Sequence, residues 1–157
     1  MILATDVQYH DQGATVAGVL FHDWKDANAE KVIMTEIQDV APYVSGQFYQ
    51  RELPCLLALL EDVGDAVECI VVDGFVYLDG EQKPGLGKYL YDALDGQIPV
   101  IGVAKSAFKD SPPDTALLRG NSQNPLYVTS VGIPFMQAKH YTSSIFHSHH
   151  CCCVWKL

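Results

Sequence analysis

The sequence predicts an α/β fold in which helices cover one mixed β-sheet. Residues up to about 38 are rich in strand-forming side chains and are divided by turn signals, which is typical of an antiparallel meander. After residue 50 the apolar residues recur at helical spacing, and short apolar runs follow that are typical of buried strands. The predicted order is β-β-β-α-β-α-β with a further strand and helix.

The meander is predicted from three strand-like segments near the start of the chain. Residues 2–9 and 14–21 are separated by Asp11-Gln12-Gly13, a good hairpin signal. Residues 31–38 continue as a third strand after a polar loop. Short loops between all three favour antiparallel neighbours.

The first helix is predicted over residues 50–63, because four leucines there share one face: Leu53, Leu56, Leu57 and Leu60. Proline has no backbone N–H and clashes with the preceding turn, so Pro54 is expected only in the first turn. We therefore expect the helix to begin close to Arg51 and Glu52.

The second half alternates short apolar runs with helical segments. The predicted elements are a strand over 68–73, a helix over 86–94, a strand over 98–104, a strand over 126–132 and a helix over 134–146. Gly96 is a plausible stop for the middle helix. Residues 74–85 form a glycine-bearing loop, and residues 105–125 form a polar loop long enough to be functional or mobile.

Length and composition predict one domain over residues 1–146 and a short Cys/His-rich tail over 147–157. At 157 residues with 48% hydrophobic content, the chain can bury a proper core. No apolar run approaches the length of a membrane span, and the start has no secretory signal, so we expect a cytoplasmic protein. The tail has metal-binding residue types without the spaced pairs of a structural zinc site, and we expect a mobile terminus.

The charge is distributed unevenly along the chain. The net charge of −9 argues against broad non-specific binding to nucleic acid. Residues 1–78 hold 13 acids and 3 bases, whereas residues 79–157 hold 6 acids and 7 bases. A polyanion is expected to approach the later, relatively positive half. Its basic residues are Lys83, Lys88, Lys105, Lys109, Arg119, Lys139 and Lys156. For any single one of these the simpler interpretation is a solvated surface side chain.

Three acids lie at turning points of the predicted backbone. The order of elements matches the ribonuclease H-like fold, in which the first and fourth strands are parallel central neighbours, so Asp6 and Asp73 are expected side by side. Glu52 is expected at the start of the first helix. Carboxylates buried near strand ends are costly unless a positive charge satisfies them, and Mg²⁺ prefers oxygen ligands. Lys105 follows a buried strand, where it can neutralise charge on a phosphate.

Each of these residues also has a simpler structural explanation. Asp6 can cap a strand end, Glu52 can interact with the helix dipole, and Asp73 can start a turn. Lys105 can be a solvated lysine. Three acids and one lysine are a weak signal by themselves.

The sequence motifs around these residues resemble those of the endonuclease V family over about residues 2–140. Pro42-Tyr43-Val44-Ser45-Gly46, followed by Arg51-Glu52, resembles the stretch that carries the family's strand-separating wedge and glutamate ligand. Val71-Val72-Asp73-Gly74 resembles its second aspartate motif, and Ala4-Thr5-Asp6-Val7 its first. Ile101-Gly102-Val103-Ala104-Lys105-Ser106 is similar to its lysine motif, and Leu126 to Gly132 to its last core strand.

The resemblance implies a role for each matching residue. Asp6, Glu52 and Asp73 become ligands of Mg²⁺ or Mn²⁺, and Lys105 becomes a catalytic residue that faces the phosphate or the attacking water. The implied wedge residue is Tyr43. The other expected nucleic-acid contacts are Gly46 and Gly74 within the matching motifs, and Lys83 and Lys88 in the relatively positive half of the chain. The implied activity is cleavage of DNA or RNA near a deaminated purine such as inosine.

Four departures from the family pattern keep other functions open. Phe75-Val76 and Asp79-Gly80-Glu81 replace segments that shape the family's modified-base pocket. Ile133 stands where the family has a histidine near the metal site, with His140 seven residues further on. Ser45 replaces a wedge proline. We also expect a minimal member of the family, without its helical lead-in and its C-terminal extension.

Two alternatives follow from these departures. One is a relative that binds nucleic acid or protein without turnover. The other is a nuclease or phosphatase of the same fold with an unrelated substrate. The sequence leaves the oligomeric state open.

Overall fold

The computed structural model describes residues 1–11, 13–64, 66–119 and 121–147, with side chains through Ile145. Its strands are β1 (Ile2–His10), β2 (Gly13–Phe21), β3 (Lys31–Gln38), β4 (Cys69–Asp73), β5 (Val100–Ala104), β6 (Ala116–Leu117) and β7 (Leu126–Val131). Its α-helices are α1 (Phe48–Asp62), α2 (Leu86–Ala93) and α3 (Phe135–His147). Residues 148–157 of the predicted tail lie outside the described residues, so the division into a domain and a tail stays a prediction.

The strands form one mixed sheet in the order β3-β2-β1-β4-β5-β7-β6. β1 pairs antiparallel with β2 and parallel with β4, and β4 pairs parallel with β5. β7 returns antiparallel to β5. The predicted meander and the predicted central β1–β4 pair are both confirmed.

Two apolar cores lie on opposite faces of the sheet. On one face α1 and α2 pack through Leu56, Leu59 and Leu90 against the strands. On the other face α3 packs through Ala138. Each strand contributes alternate residues to the two faces, as the pleat requires. Within the described residues, no helix is both long and apolar enough to cross a membrane.

The predicted start of the first helix is wrong. α1 begins at Phe48, so Pro54 lies in the helix interior and not in its first turn. The side chain of Pro54 is exposed, and the carbonyl that loses its N–H partner is therefore on the solvent side, where water can satisfy it. Burial of Cys55, Leu56 and Leu59 on the opposite side stabilises the helix against this cost.

The long polar loop after β5 contains more regular structure than predicted. A short 3₁₀ helix at Pro113–Thr115 leads into β6, which pairs with the start of β7. A two-residue strand is too short for hydrophobic periodicity to reveal. The predicted stop of α2 is confirmed, because Asp95 and Gly96 have positive φ values of 55° and 67°.

Gly102 of β5 packs closely against the backbone of the loop that follows β4. A Cβ atom there would lie 2.5 Å from the carbonyl oxygen of Gly74 and 2.8 Å from Oγ1 of Thr129. Neither atom can move without displacing the segment that follows Asp73. Gly102 therefore fixes the loop on which one of the predicted site residues lies.

We expect Gly102→Ala to lower the free energy of unfolding by about 2 kcal/mol, because the added methyl overlaps backbone atoms. Urea denaturation measures this change. Gly64→Ala is the matched control, because a Cβ at Gly64 meets no described atom within 4 Å. Equal stability of the two variants would contradict the close packing at Gly102.

Candidate active site

The two central strands β1 and β4 bring two aspartates, Asp6 and Asp73, to the same end of the sheet, which we call the acidic edge. Ala4 of β1 is aligned with Val71 of β4, and Asp6 and Asp73 each follow two residues later. The two strands are parallel, so these carboxylates lie on the same face, Asp6 in the middle of β1 and Asp73 at the end of β4. The predicted side-by-side placement is confirmed.

Lys105 reaches the same edge from the next strand. Asp73 is aligned with Val103 of β5, and Lys105 follows two residues later. Burial raises the pKa of Asp6 and of Asp73 above the ordinary value, and the positive charge of Lys105 opposes that rise at both. The lysine therefore acts electrostatically on both carboxylates. Asp6 also accepts a 3.0 Å hydrogen bond through Oδ1 from the Val7 amide.

Glu52 approaches this edge from the helix layer. It lies on α1 and is only 4% exposed. Burial is the largest cause that raises its pKa to about 8, and the charges of Asp73 and Asp6 raise it further. Glu52 is thus close enough to feel both aspartates, which the predicted convergence of three acids requires.

These carboxylates match the donor chemistry of a hard divalent cation, which takes oxygen ligands. In the described part of the chain, however, no three Asp, Glu, His or Cys side chains are gathered closely enough to hold a metal ion as they stand. Mutual repulsion gives a physical reason, because the like charges of Asp6 and Asp73 favour separated orientations when no cation is bound. The residues therefore fit the ion by the type of their donor atoms.

The backbone after Asp73 is held in one conformation. The Gly74 amide donates a 3.0 Å hydrogen bond to the Val103 carbonyl, and Gly74 has a φ of 146°. The Val76 amide donates a 2.8 Å hydrogen bond to Oγ1 of buried Thr129. Sequence reasoning missed Thr129, because a threonine in an apolar strand gives no signal beyond strand propensity.

Two phenylalanines lie next to the acidic edge along the chain. Phe75 follows Asp73 by two residues, and Phe108 follows Lys105 by three. Their ring centroids are 6.5 Å apart in an edge-to-face arrangement. Phe108 is 41% exposed, so the pair offers an aromatic surface where solvent can be displaced.

The predicted nucleic-acid contacts other than Gly74 lie in the loop before α1, in the loop before α2 and on α2. Tyr43 lies in the loop before α1 and is 61% exposed, as a wedge side chain must be. Gly46 in the same loop has a φ of 77°. Lys83 is exposed in the loop before α2, and Lys88 forms an ion pair with Asp92 one turn along that helix. Their roles stay predictions.

The expectation that Ile133 occupies a position near the metal site is wrong. β7 runs antiparallel to β5, so its end at Val131 is aligned with Val100 at the start of β5. Ile133 therefore lies at the opposite edge of the sheet from Asp73, where it lines a pocket of about 340 Å³ beside Pro99. An isoleucine at that edge removes nothing from the acidic cluster. His140 is exposed on α3.

Sequence reasoning also missed two neighbours of Glu52. The Tyr9 hydroxyl lies 3.5 Å from Oε2 of Glu52, and the Arg51 guanidinium carbon lies 3.7 Å from the centroid of the Tyr9 ring. Burial and the charge of Glu52 raise the pKa of Tyr9, so its hydroxyl keeps the proton that it donates. The alternation of residues along β1 could have indicated Tyr9 as a neighbour of α1, since Leu3, Val7 and Tyr9 lie on the face of the sheet that α1 covers.

Sequence comparison relates the chain to one family. The family model described as Endonuclease V matches residues 1–151. Endonuclease V of Streptomyces avermitilis is 35% identical over 127 residues, which are 77% of this chain and 52% of that protein. The chain thus spans about half the length of this curated relative.

Solved structures with the same fold include several endonuclease V proteins. The catalytic domain of human endonuclease V has a TM-score of 0.75 at 20% identity, covering 99% of this chain and 80% of that chain. The S. avermitilis protein has a TM-score of 0.72 at 25% identity, with coverage of 92% and 72%. Endonuclease V of Ciona intestinalis, in complex with a 24mer DNA containing an inosine followed by a ribo-adenosine, has a TM-score of 0.75 at 15% identity and covers 91% and 76%. The predicted ribonuclease H-like fold is confirmed.

Proposed function

Because the chain belongs to the endonuclease V family, we propose that it is a divalent-cation-dependent endonuclease that hydrolyses a phosphodiester in inosine-containing DNA or RNA. The observation that carries the proposal is the convergence of Asp6, Asp73, Glu52 and Lys105 on one edge of the sheet. The Ciona relative bound to inosine-containing DNA supports the substrate class.

In the proposed site, Asp6, Asp73 and Glu52 hold Mg²⁺ or Mn²⁺ through carboxylate oxygens. When bound, the cation supplies charge that lowers the pKa of a water and stabilises the leaving oxygen. Glu52 in its buried position stays protonated near neutral pH without a cation, so binding displaces its proton. The three acids thus select a divalent ion over a monovalent one by their total charge.

Lys105 is proposed to act on the phosphate. The positive charge of Lys105 lowers the pKa of Asp6 and of Asp73, against the effect of burial, so Lys105 lies within electrostatic reach of the cation site. A phosphate at this edge brings further negative charge, and a fixed lysine stabilises the charge that develops during hydrolysis. Lys105 also orients the phosphate toward the attacking water.

The nucleic acid is proposed to cross the acidic edge between two aromatic groups. Tyr43 enters the strand as a wedge, with Gly46 giving its loop the required backbone freedom. Phe75 and Phe108 stack on an unpaired base, which needs no hydrogen bonds to the base edges. Gly74, Lys83 and Lys88 contribute backbone and charge contacts at the rim.

The alternative is a binding protein of the same family that has lost turnover. The altered loop at Phe75-Val76 favours it, because that segment shapes the family's modified-base pocket in the resemblance. The position of Ile133 no longer favours it, since that residue lies away from the acids. We also keep the cytoplasm as the proposed compartment.

A cleavage assay separates the two functions. Single- and double-stranded oligonucleotides with one inosine, and matched strands with guanosine, are incubated with Mg²⁺, Mn²⁺ or EDTA. We expect cleavage that requires the cation and prefers the inosine strands. Uracil, mismatch, flap and branched substrates are tested in the same way under Mn²⁺. Binding without cleavage of any of these substrates, inosine strands included, would favour the binding protein.

A further inference from the structure

The side chain of Glu52 has a neighbour that the proposed reaction does not use. Tyr9 lies on β1, on the face that α1 covers, and its hydroxyl is 3.5 Å from Oε2 of Glu52. Glu52 is 4% exposed, so it has little access to water as an alternative partner. Among the described residues, the Tyr9 hydroxyl is therefore the hydrogen-bond donor to this buried carboxylate.

The ring of Tyr9 is itself held from its other side. The Arg51 guanidinium carbon lies 3.7 Å from the ring centroid, a distance at which cation–π attraction is strong. The Nε atom of Arg51 is buried and has no hydrogen-bond partner among the described residues. The cation–π contact with Tyr9 therefore stabilises a guanidinium whose Nε has no hydrogen-bond partner among the described residues.

Adjacent residues of a helix do not face each other, so the Arg51 guanidinium packs on the Tyr9 ring, while its charge also acts on Glu52 and lowers the pKa of that carboxyl. This arrangement suits a carboxylate that must still bind a cation. A direct arginine ion pair would occupy both oxygens of Glu52 and would compete with the cation. A neutral hydroxyl occupies one oxygen, orients the group and leaves its charge available.

We propose that Tyr9, braced by Arg51, is a positioning residue that aims the Glu52 carboxylate at the divalent cation. The inference rests on the proposed function, in which Glu52 is a ligand. It adds two residues that act through Glu52 and that touch neither cation nor nucleic acid. Outer groups that orient ligands typically contribute about 10- to 100-fold to metal affinity.

The test measures Mn²⁺ affinity by electron paramagnetic resonance, without nucleic acid. Tyr9→Phe keeps the ring under Arg51 and removes only the hydroxyl, and Arg51→Met removes the charge while keeping the packing of the side chain. We expect the Mn²⁺ dissociation constant to rise about 10-fold in Tyr9→Phe. It should rise by a smaller factor in Arg51→Met, because loss of the Arg51 charge also relieves repulsion of the cation. Tyr49→Phe is the control, since Tyr49 is also on α1 but stacks on Tyr89.

Cleavage provides a second readout. In Tyr9→Phe we expect the Mn²⁺ concentration for half-maximal cleavage to rise by the same factor, while the rate at saturating Mn²⁺ stays within about 3-fold of wild type. Thermal unfolding checks that both variants are folded at the assay temperature.

The failures of the two proposals are distinguishable. A wild-type protein that binds and cuts with Mn²⁺, with unchanged Mn²⁺ affinity in both variants, would overturn the positioning role alone. A wild-type protein that does not bind Mn²⁺ would overturn the proposed function and this inference together.

Discussion

Replacing Asp6 by alanine is expected to reduce cation-dependent strand cleavage by roughly 1,000-fold or more, because one of the proposed cation ligands is lost. The protein should stay folded. Asp6 is partly buried in the middle of β1, and burial already raises its pKa, so its charge costs folding free energy. The lost Val7 amide contact is a partly buried hydrogen bond that water can replace.

The measurement is the single-turnover cleavage rate of a labelled inosine oligonucleotide, with circular dichroism to confirm the fold. Glu61→Ala is the matched control, because it removes one exposed acid of α1 and changes the net charge equally. Cleavage by folded Asp6→Ala at the wild-type rate would remove Asp6 from the site.

Glu52→Gln is expected to lose cleavage and, in EDTA, to become more stable than wild type as the pH rises. The folded-state pKa of Glu52 is about 8, above the ordinary value of 4.5. Between these values the unfolded chain releases a proton that the folded chain retains, so wild-type stability falls from about pH 4.5 to pH 8. Glutamine has no such proton.

At pH 9 the difference in unfolding free energy should be on the order of 3 kcal/mol in favour of Glu52→Gln, and it should vanish near pH 4. Urea denaturation in EDTA across this range gives both values. Glu61→Gln on the same helix should follow wild type at every pH. A stability difference for Glu52→Gln that did not change with pH would show that Glu52 is not a buried ionisable group.

The framework of the fold could be predicted because each element had a strong local signal. The hairpin turn, the helical leucines of α1 and the buried strand before Asp73 all carry their period in the sequence. The start of α1 could not be predicted from Pro54, because burial of the opposite face outweighs one lost hydrogen bond. β6 depends on pairing with β7, a tertiary effect that two residues cannot signal.

The acidic cluster followed from topology once β1 and β4 were placed side by side. The contacts around the cluster could not be predicted in this way. The contacts of Tyr9 with Glu52 and of Thr129 with Val76 join residues 43 and 53 positions apart, and nothing local marks them. The orientation of β7 also had to be seen in the sheet, and it moved Ile133 away from the acids.

The central claim is that Asp6, Asp73 and Glu52 together hold a divalent cation at the carboxyl end of β4, beside the middle of β1. A crystal of the protein soaked in Mn²⁺, with anomalous diffraction data, tests it most directly. We expect an anomalous peak within about 2.5 Å of carboxylate oxygens of Asp6 and Asp73, with Glu52 turned toward it. A well-occupied Mn²⁺ elsewhere, with no peak between Asp6 and Asp73, would contradict the claim.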